Sequence, residues 1–191
     1  APSTGSGYNT QGTIFWGCLG TKHLFHGQSK IWTTDGTSAG TVGAGTSVPN
    51  PSDITDAGTQ TFFVAYTSTT GKELWRTDGT DAGTYIVKDI NPGAGEGVPS
   101  DSISSKILVN GVLYFPATES VYGSELWRSD GTAAGTYMVK DIVLGTTGSS
   151  PRMLASMNGR LLFAVSTSTA GWELWTSDGT SAGTTMVRDI N

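Results

Sequence analysis

The sequence is short of several things, and each shortage excludes a class. One cysteine in 191 residues leaves nothing to pair with, so a disulfide scaffold is excluded. Eleven Lys and Arg against sixteen Asp and Glu give a net charge of -5, which excludes a strongly basic nucleic-acid binder. No apolar run approaches the roughly 20 residues that a membrane-spanning helix needs; the longest are pieces such as Leu161-Leu162-Phe163-Ala164-Val165, and no membrane span is expected. Long stretches of Ala, Leu, Glu and Lys are missing, so long helices are not expected. There is no P-loop, no dinucleotide fingerprint and no nucleophile elbow, and so no cofactor is predicted. The only Asn placed before a Ser at sequon spacing is Asn50, and Pro51 between them spoils it. Residues 1–7 show no basic segment followed by an apolar one, so they read as a mature end or a lead-in rather than a signal peptide.

What the chain holds instead is Thr, Ser and Gly. There are 29 Thr, 21 Ser and 27 Gly, together 77 of the 191 residues, with six Trp, six Tyr and six Phe spread among them. Disordered chains carry few aromatics and high net charge, and this chain does the reverse. Thr and aromatics favour strands; Gly, Asn, Asp and Ser favour the turns between them. The class is therefore all-β. A Thr/Ser/Gly-rich surface with few basic residues also points to an extracellular setting, secreted or on the cell surface.

An internal repeat organises the chain. Three segments align without gaps, beginning at Gly71, Gly123 and Gly171; each reads Gly-x-Glu-Leu-Trp, two further residues, then Asp-Gly-Thr-x-Ala-Gly-Thr. Each runs on into a short apolar strand with a basic residue, Asp and Ile at its end: Val87-Lys88-Asp89-Ile90, Val139-Lys140-Asp141-Ile142 and Val187-Arg188-Asp189-Ile190. A fourth, degenerate copy spans residues 30–41 and includes Trp32, Asp35, Gly36 and Thr37. There Lys30 stands in place of the Glu, and Val42-Gly43-Ala44-Gly45-Thr46 replaces the apolar strand.

A period near 50 with short strands predicts β-propeller blades. In the third unit four strands are expected, over residues 105–109, 112–117, 124–129 and 136–142. Asn110-Gly111 joins the first pair by a two-residue hairpin turn, because both positions tolerate positive φ, and Asn158-Gly159 does the same in the fourth unit. Runs such as Tyr85-Ile86-Val87 and Leu113-Tyr114-Phe115 are apolar on both faces, as strands packed between neighbouring sheets must be. The expected architecture is a four-bladed propeller over residues 13–191. Its blades fall near 1–48, 49–91, 92–143 and 144–191, with a flexible segment over residues 1–12 and the first blade's opening strand within residues 2–10.

The three copies of Glu-Leu-Trp followed by Asp-Gly-Thr resemble a bacterial repeat family described by its signature, the ELWxxDGT repeat. The matching residues are Glu73-Leu74-Trp75 with Asp78-Gly79-Thr80, Glu125-Leu126-Trp127 with Asp130-Gly131-Thr132, and Glu173-Leu174-Trp175 with Asp178-Gly179-Thr180. The resemblance implies a secreted or surface-exposed, propeller-like protein and implies no activity.

The repeated residues read mainly as architecture. Asp35, Asp78, Asp130 and Asp178 are expected to accept backbone N–H bonds and fix their turns, with Gly36, Gly79, Gly131 and Gly179 at positive φ. One carboxylate per unit is too few oxygens for calcium. Trp32, Trp75, Trp127 and Trp175 are expected to pack between blades. Trp16 and Trp172 fall outside the repeated position and are the candidates for exposed, contact-making aromatics; the equivalents of Trp172 are the polar Lys72 and Ser124. Cys18, His23 and His26 are expected in a long loop between the second and third strands of the first unit, counted from Phe15 to Trp32. They have the order of a Cys/His metal site but lack a fourth ligand, so no metal is predicted.

Three functions compete on this evidence. The leading expectation is a non-enzymatic structural or adhesive module that pairs with copies of itself through exposed blade edges and residues 1–12, forming an oligomer or filament. The second is a lectin-like propeller that binds glycans. The third, an enzyme, needs paired carboxylates outside the repeat. Those acids are Asp53, Asp56, Asp81, Glu96, Asp101 and Glu119, and no two of them are placed together by the pattern.

Overall fold

The computed structural model describes residues 14–49, 51–99, 106–167 and 171–189. Among these residues the structure is all-β, and no helix is long and apolar enough to cross a membrane. Sixteen strands form four antiparallel sheets of four strands, each sheet in chain order. The first holds β1 (Ile14–Leu19), β2 (Lys22–Gly27), β3 (Lys30–Thr34) and β4 (Val42–Ser47). The second holds β5 (Ser52–Asp56), β6 (Thr61–Thr67), β7 (Gly71–Thr77) and β8 (Tyr85–Lys88). The third holds β9 (Ile107–Val109), β10 (Val112–Glu119), β11 (Gly123–Ser129) and β12 (Tyr137–Lys140). The fourth holds β13 (Arg152–Met157), β14 (Arg160–Thr167), β15 (Gly171–Ser177) and β16 (Thr185–Arg188).

The turns follow from the residues that make them. Asn110 and Gly111 have φ of 52° and 78°, and Val109 pairs with Val112 across them. Asn158 and Gly159 repeat this at 51° and 74°, between Met157 and Arg160. Both positive φ values are what a tight hairpin matched to the twist of its strands requires.

The first sheet differs from expectation. Its opening strand is β1, and residues 2–10 lie outside the described residues, as does the whole segment 1–12 and Ser105 of the third unit. Phe15 stands in the first strand, so the second-strand counterpart of Phe63, Phe115 and Phe163 is Phe25. Phe25 pairs with Trp32 across β2 and β3, as Phe115 pairs with Trp127 and Phe163 with Trp175. There is no long loop between these strands. Gly27 pairs with Lys30, and Gln28 and Ser29 make the turn at φ of 55° each. Residues 42–47 do form the fourth strand despite their glycines. Gly43 pairs with Trp32, and a Cβ there would come within 3.1 Å of the indole.

The chain divides into two compact units. One comprises residues up to Thr67 with Leu74–Ile86; the other comprises Ser68–Glu73 with Val87 onward. The core of the first unit gathers Trp16, Leu24, Ile31, Ala44, Val48, Phe63, Ala65 and Trp75. The core of the second gathers Val109, Tyr114, Leu126, Val139, Leu161, Phe163 and Val165. In both, the Phe–Trp pair of one sheet meets the aliphatic residues that the preceding sheet turns toward it. Leu113, Tyr114 and Phe115 are all buried, so β10 is covered on both faces, whereas Tyr85 and Tyr137 at the starts of β8 and β12 are exposed.

Candidate functional site

The repeated acids are engaged in the fold. In each turn the aspartate Oδ1 accepts two bonds from the threonine two residues later. For Asp130 these are Thr132 N at 2.9 Å and Thr132 Oγ1 at 2.7 Å; Asp35, Asp78 and Asp178 do the same with Thr37, Thr80 and Thr180. The threonine passes the order on. Thr132 Oγ1 accepts from Gly135 N at 3.0 Å, and Thr132 O accepts from Thr136 Oγ1 at 2.7 Å. The Thr136 hydroxyl also pairs with Ser129 Oγ at 2.7 Å, and that oxygen accepts from Gly131 N at 3.0 Å. Gly36, Gly79, Gly131 and Gly179 have φ between 84° and 92°, the left-handed region that favours glycine. These bonds to the charged form hold all four aspartates below the usual carboxylate range. For Asp35, Asp130 and Asp178 the threonine bonds are the largest influence; at Asp78 burial pushes the other way and the bonds prevail.

The glutamates form a second structural element. Glu73, Glu125 and Glu173 are buried. Glu73 Oε1 accepts from Asn91 N at 3.2 Å and Gly97 N at 3.1 Å, and Oε2 from Ile90 N at 3.1 Å. Glu125 accepts from Val143 N at 3.1 Å and from the Ser149 hydroxyl. The carboxylates of Glu73 and Glu125 thus tie the third strand of their sheets to the segment that leaves the fourth. Burial pushes the Glu73 carboxyl up to about 7 against the opposing pull of its backbone bonds, and Glu125 moves in the same direction for the same reason.

The repeated tryptophans differ in cover. Trp75 and Trp127 are buried; Trp32 and Trp175 are half-buried. Trp75 stacks on Phe63 at 6.1 Å in the first unit, and Trp127 and Trp175 lie beneath Lys88 and Lys140 at 5.7 and 5.9 Å in the second.

Two expectations are corrected. Trp16 is not an exposed aromatic: it is 9% exposed, stacked on His26 at 6.0 Å and tilted against Phe63 at 5.0 Å. It lies in β1, where the sheet turns it into the core. Cys18, His23 and His26 do not share a loop. Cys18 is on β1 and both histidines are on β2. Cys18 pairs with His23 across the strands, its exposed thiol 3.4 Å from His23 Nδ1. His26 is buried three positions on, its Nε2 bonded to Val48 O at 2.9 Å, and burial lowers its pKa. Strand alternation sends His23 and His26 to opposite faces, so the three do not converge on one ion. Trp172 is 43% exposed, with the Arg152 guanidinium 5.1 Å over its ring.

The sequence reading missed the basic residues at the strand ends. Lys88 Nζ donates to Thr136 O at 2.8 Å and Lys140 Nζ to Thr184 O at 2.9 Å. The recurrence of a basic residue before Asp-Ile at this place was the available signal.

No protein-family model matches the chain, and no curated protein matches it by sequence. Among solved structures, the backbone is similar to part of the crystal structure of a puromycin hydrolase mutant. The TM-score is 0.50 at 14% identity, over 92% of this chain and 30% of that one. The likeness bears on the fold alone; this chain spans under a third of the length of that protein.

Proposed function

We propose that this chain is a non-enzymatic repeat module of an extracellular structural or adhesive protein, its four sheets serving as β-propeller blades, and that it works by associating with copies of itself. The observation that carries the reading is the use made of the repeated acids. The four turn aspartates hold their own turns, and Glu73 and Glu125 hold the segments leaving their own sheets. These six repeated acids are committed to the architecture. The Thr/Ser/Gly-rich composition and the ELWxxDGT resemblance support the extracellular setting and the structural role.

The test is the mass of the purified full chain by light scattering across a dilution series, with negative-stain imaging. Concentration-dependent rings or filaments support the reading; a 19.9 kDa species at every concentration overturns it. Deleting residues 1–12, which lie outside the described residues, should reduce assembly, and an unchanged particle size would remove that segment from the proposal.

The exposure of Trp172 favours one alternative, a glycan-binding module with a single aromatic platform rather than one per repeat. Glycan-array binding that Trp172→Ala abolishes would support that alternative.

A further inference from the structure

Residues 90–98 form a strap between the second and third sheets. On one side it is bonded to β7: Gly97 N and Val98 N both donate to Lys72 O at 3.0 Å, and Lys72 Nζ pairs with Glu96 at 3.1 Å. On the other side it is bonded to the end of β10: Thr118 N donates to Gly97 O at 2.8 Å, and Ser120 N to Asn91 Oδ1 at 3.2 Å. These residues all belong to the second compact unit. The ends of the strap, Ile90, Gly97 and Val98, are buried, whereas Pro92, Gly93 and Ala94 between them are exposed.

Glu73 lies under the strap. Its side chain is fully buried, and its carboxylate accepts three N–H groups of the strap, those of Ile90, Asn91 and Gly97. The fit is close: a methyl group on Gly97 would enter the space of the carboxylate. Two influences oppose each other at this group. Burial, the larger, and the nearby Asp89 carboxylate favour the proton; the three N–H bonds favour the anion. Of the other charged groups on these elements, Lys72 and Glu96 are paired, Lys88 donates to Thr136 O, and Glu119 ends β10. The strand β6 carries no charged residue. The third sheet repeats the arrangement. Glu125 accepts from Val143 N and the Ser149 hydroxyl, and Ser149 O accepts from Ser166 N of the fourth sheet.

We propose that the strap is a proton-controlled latch between the second and third sheets, closed over Glu73 when its carboxyl carries a proton and opening as the carboxyl ionises. Opening returns the anion to water and frees the N–H groups of Thr118 and Ser120 at the end of β10. Beneath the closed strap the carboxyl titrates near 7, and in water near 4.5. Each pH unit between these values therefore multiplies the ratio of open to closed strap by about ten. A segment with three glycines and an exposed middle is suited to opening without the rest of the sheet. The latch does not depend on self-association.

Hydrogen exchange of the full chain, read by mass spectrometry and corrected for the intrinsic effect of pH, tests it. Protection of residues 89–99 is expected to fall more than tenfold from pH 5 to pH 7. Exchange there should also be faster than in residues 22–34 and insensitive to low urea, because a local opening exposes little surface. In Glu73→Gln the pH step should vanish. If melting curves show that Glu73→Gln does not fold, Gly97→Ala replaces it, since its methyl group holds the strap off the carboxylate and should likewise remove the step. Protection of residues 89–99 that is flat with pH overturns the latch. So does a pH step that persists in the variant, or a urea dependence equal to that of residues 22–34, which would mean that the strap opens only when the whole chain unfolds.

Discussion

Gly135 lies against the carboxylate of Asp130, five residues earlier, so closely that a methyl group at 135 would occupy the carboxylate's own place. Gly40, Gly83 and Gly183 meet Asp35, Asp78 and Asp178 in the same way. The acid and the glycine of the signature are therefore one steric unit. Gly135→Ala is expected to destabilise the protein by about 1–3 kcal/mol, the usual cost of forcing extra volume into a filled site. In an Asp130→Ala background the space is vacated, and the same change should cost only a fraction of that. Urea denaturation of the four chains in the cycle measures both, and an equal cost in the two backgrounds would show that the carboxylate is not the obstacle.

The lysine contacts predict a loss in a different part of the molecule. Lys140→Met keeps much of the aliphatic stem but removes the bond to Thr184 O and the charge over Trp175. A loss of about 1–2 kcal/mol follows from a charge-assisted bond together with a partly shielded cation–π contact. Lys140→Arg should recover most of it. The change in tryptophan emission on titrating the two variants with urea would report the loss, and equal midpoints for Lys140→Met and the parent would refute it.

Stability should pass through a maximum on the acid side of neutrality. Glu73 has a folded-state pKa near 7 against 4.5 for the free side chain. Its contribution is fully present below about 4.5 and is lost as pH rises through 7, because the unfolded chain gives up its proton first. Glu125 acts in the same sense. The four turn aspartates act oppositely: their pKa values lie below 3.8, so their contribution is present above that value and is lost as pH falls through the folded-state value. Melting temperature against pH should therefore rise from acid pH and decline toward 7. Glu73→Gln should flatten the decline, while lowering stability at every pH by setting an amide donor against backbone N–H groups. A decline of unchanged slope in Glu73→Gln would mean that another group titrates there.

The three regular repeats were legible because sequence period and structural period coincide. The Asn-Gly turns, the Asp-Gly-Thr turns and the strands between them all sit where the signature puts them. The first repeat was not, and the reason is local. Its β2–β3 turn is made by Gln28 and Ser29, both at positive φ, and neither residue type announces such a turn as Asn-Gly does. With the turn hidden, the sequence aligns Phe15 where Phe25 belongs, and Cys18, His23 and His26 read as a loop instead of two strands. Trp16 lies outside the repeated position and so carries no repeat signal for burial, although a first strand needs an apolar anchor as much as any other. The engagement of Glu73 with Gly97 was out of reach as well, since a contact 24 residues along the chain leaves no local pattern.

Trp127 and Trp172 separate the two roles a tryptophan has in this chain. Trp127 is buried on β11 beneath Lys88, whereas Trp172 stands 43% exposed on β15 with Arg152 over its ring. Trp127→Ala removes a large, covered side chain and is expected to cost about 3–5 kcal/mol. Trp172→Ala removes a mostly solvated one and should change stability by no more than about 0.5 kcal/mol. The emission of Trp172 should also be quenched selectively by acrylamide in the folded chain, and its loss in Trp172→Ala should remove most of the accessible fraction. A stability loss for Trp172→Ala comparable to that for Trp127→Ala would mean that the exposed ring carries structure, and the case for Trp172 as a contact surface would lose its premise. A neutral result leaves a large aromatic standing in water, a cost in solvation that a partner would relieve.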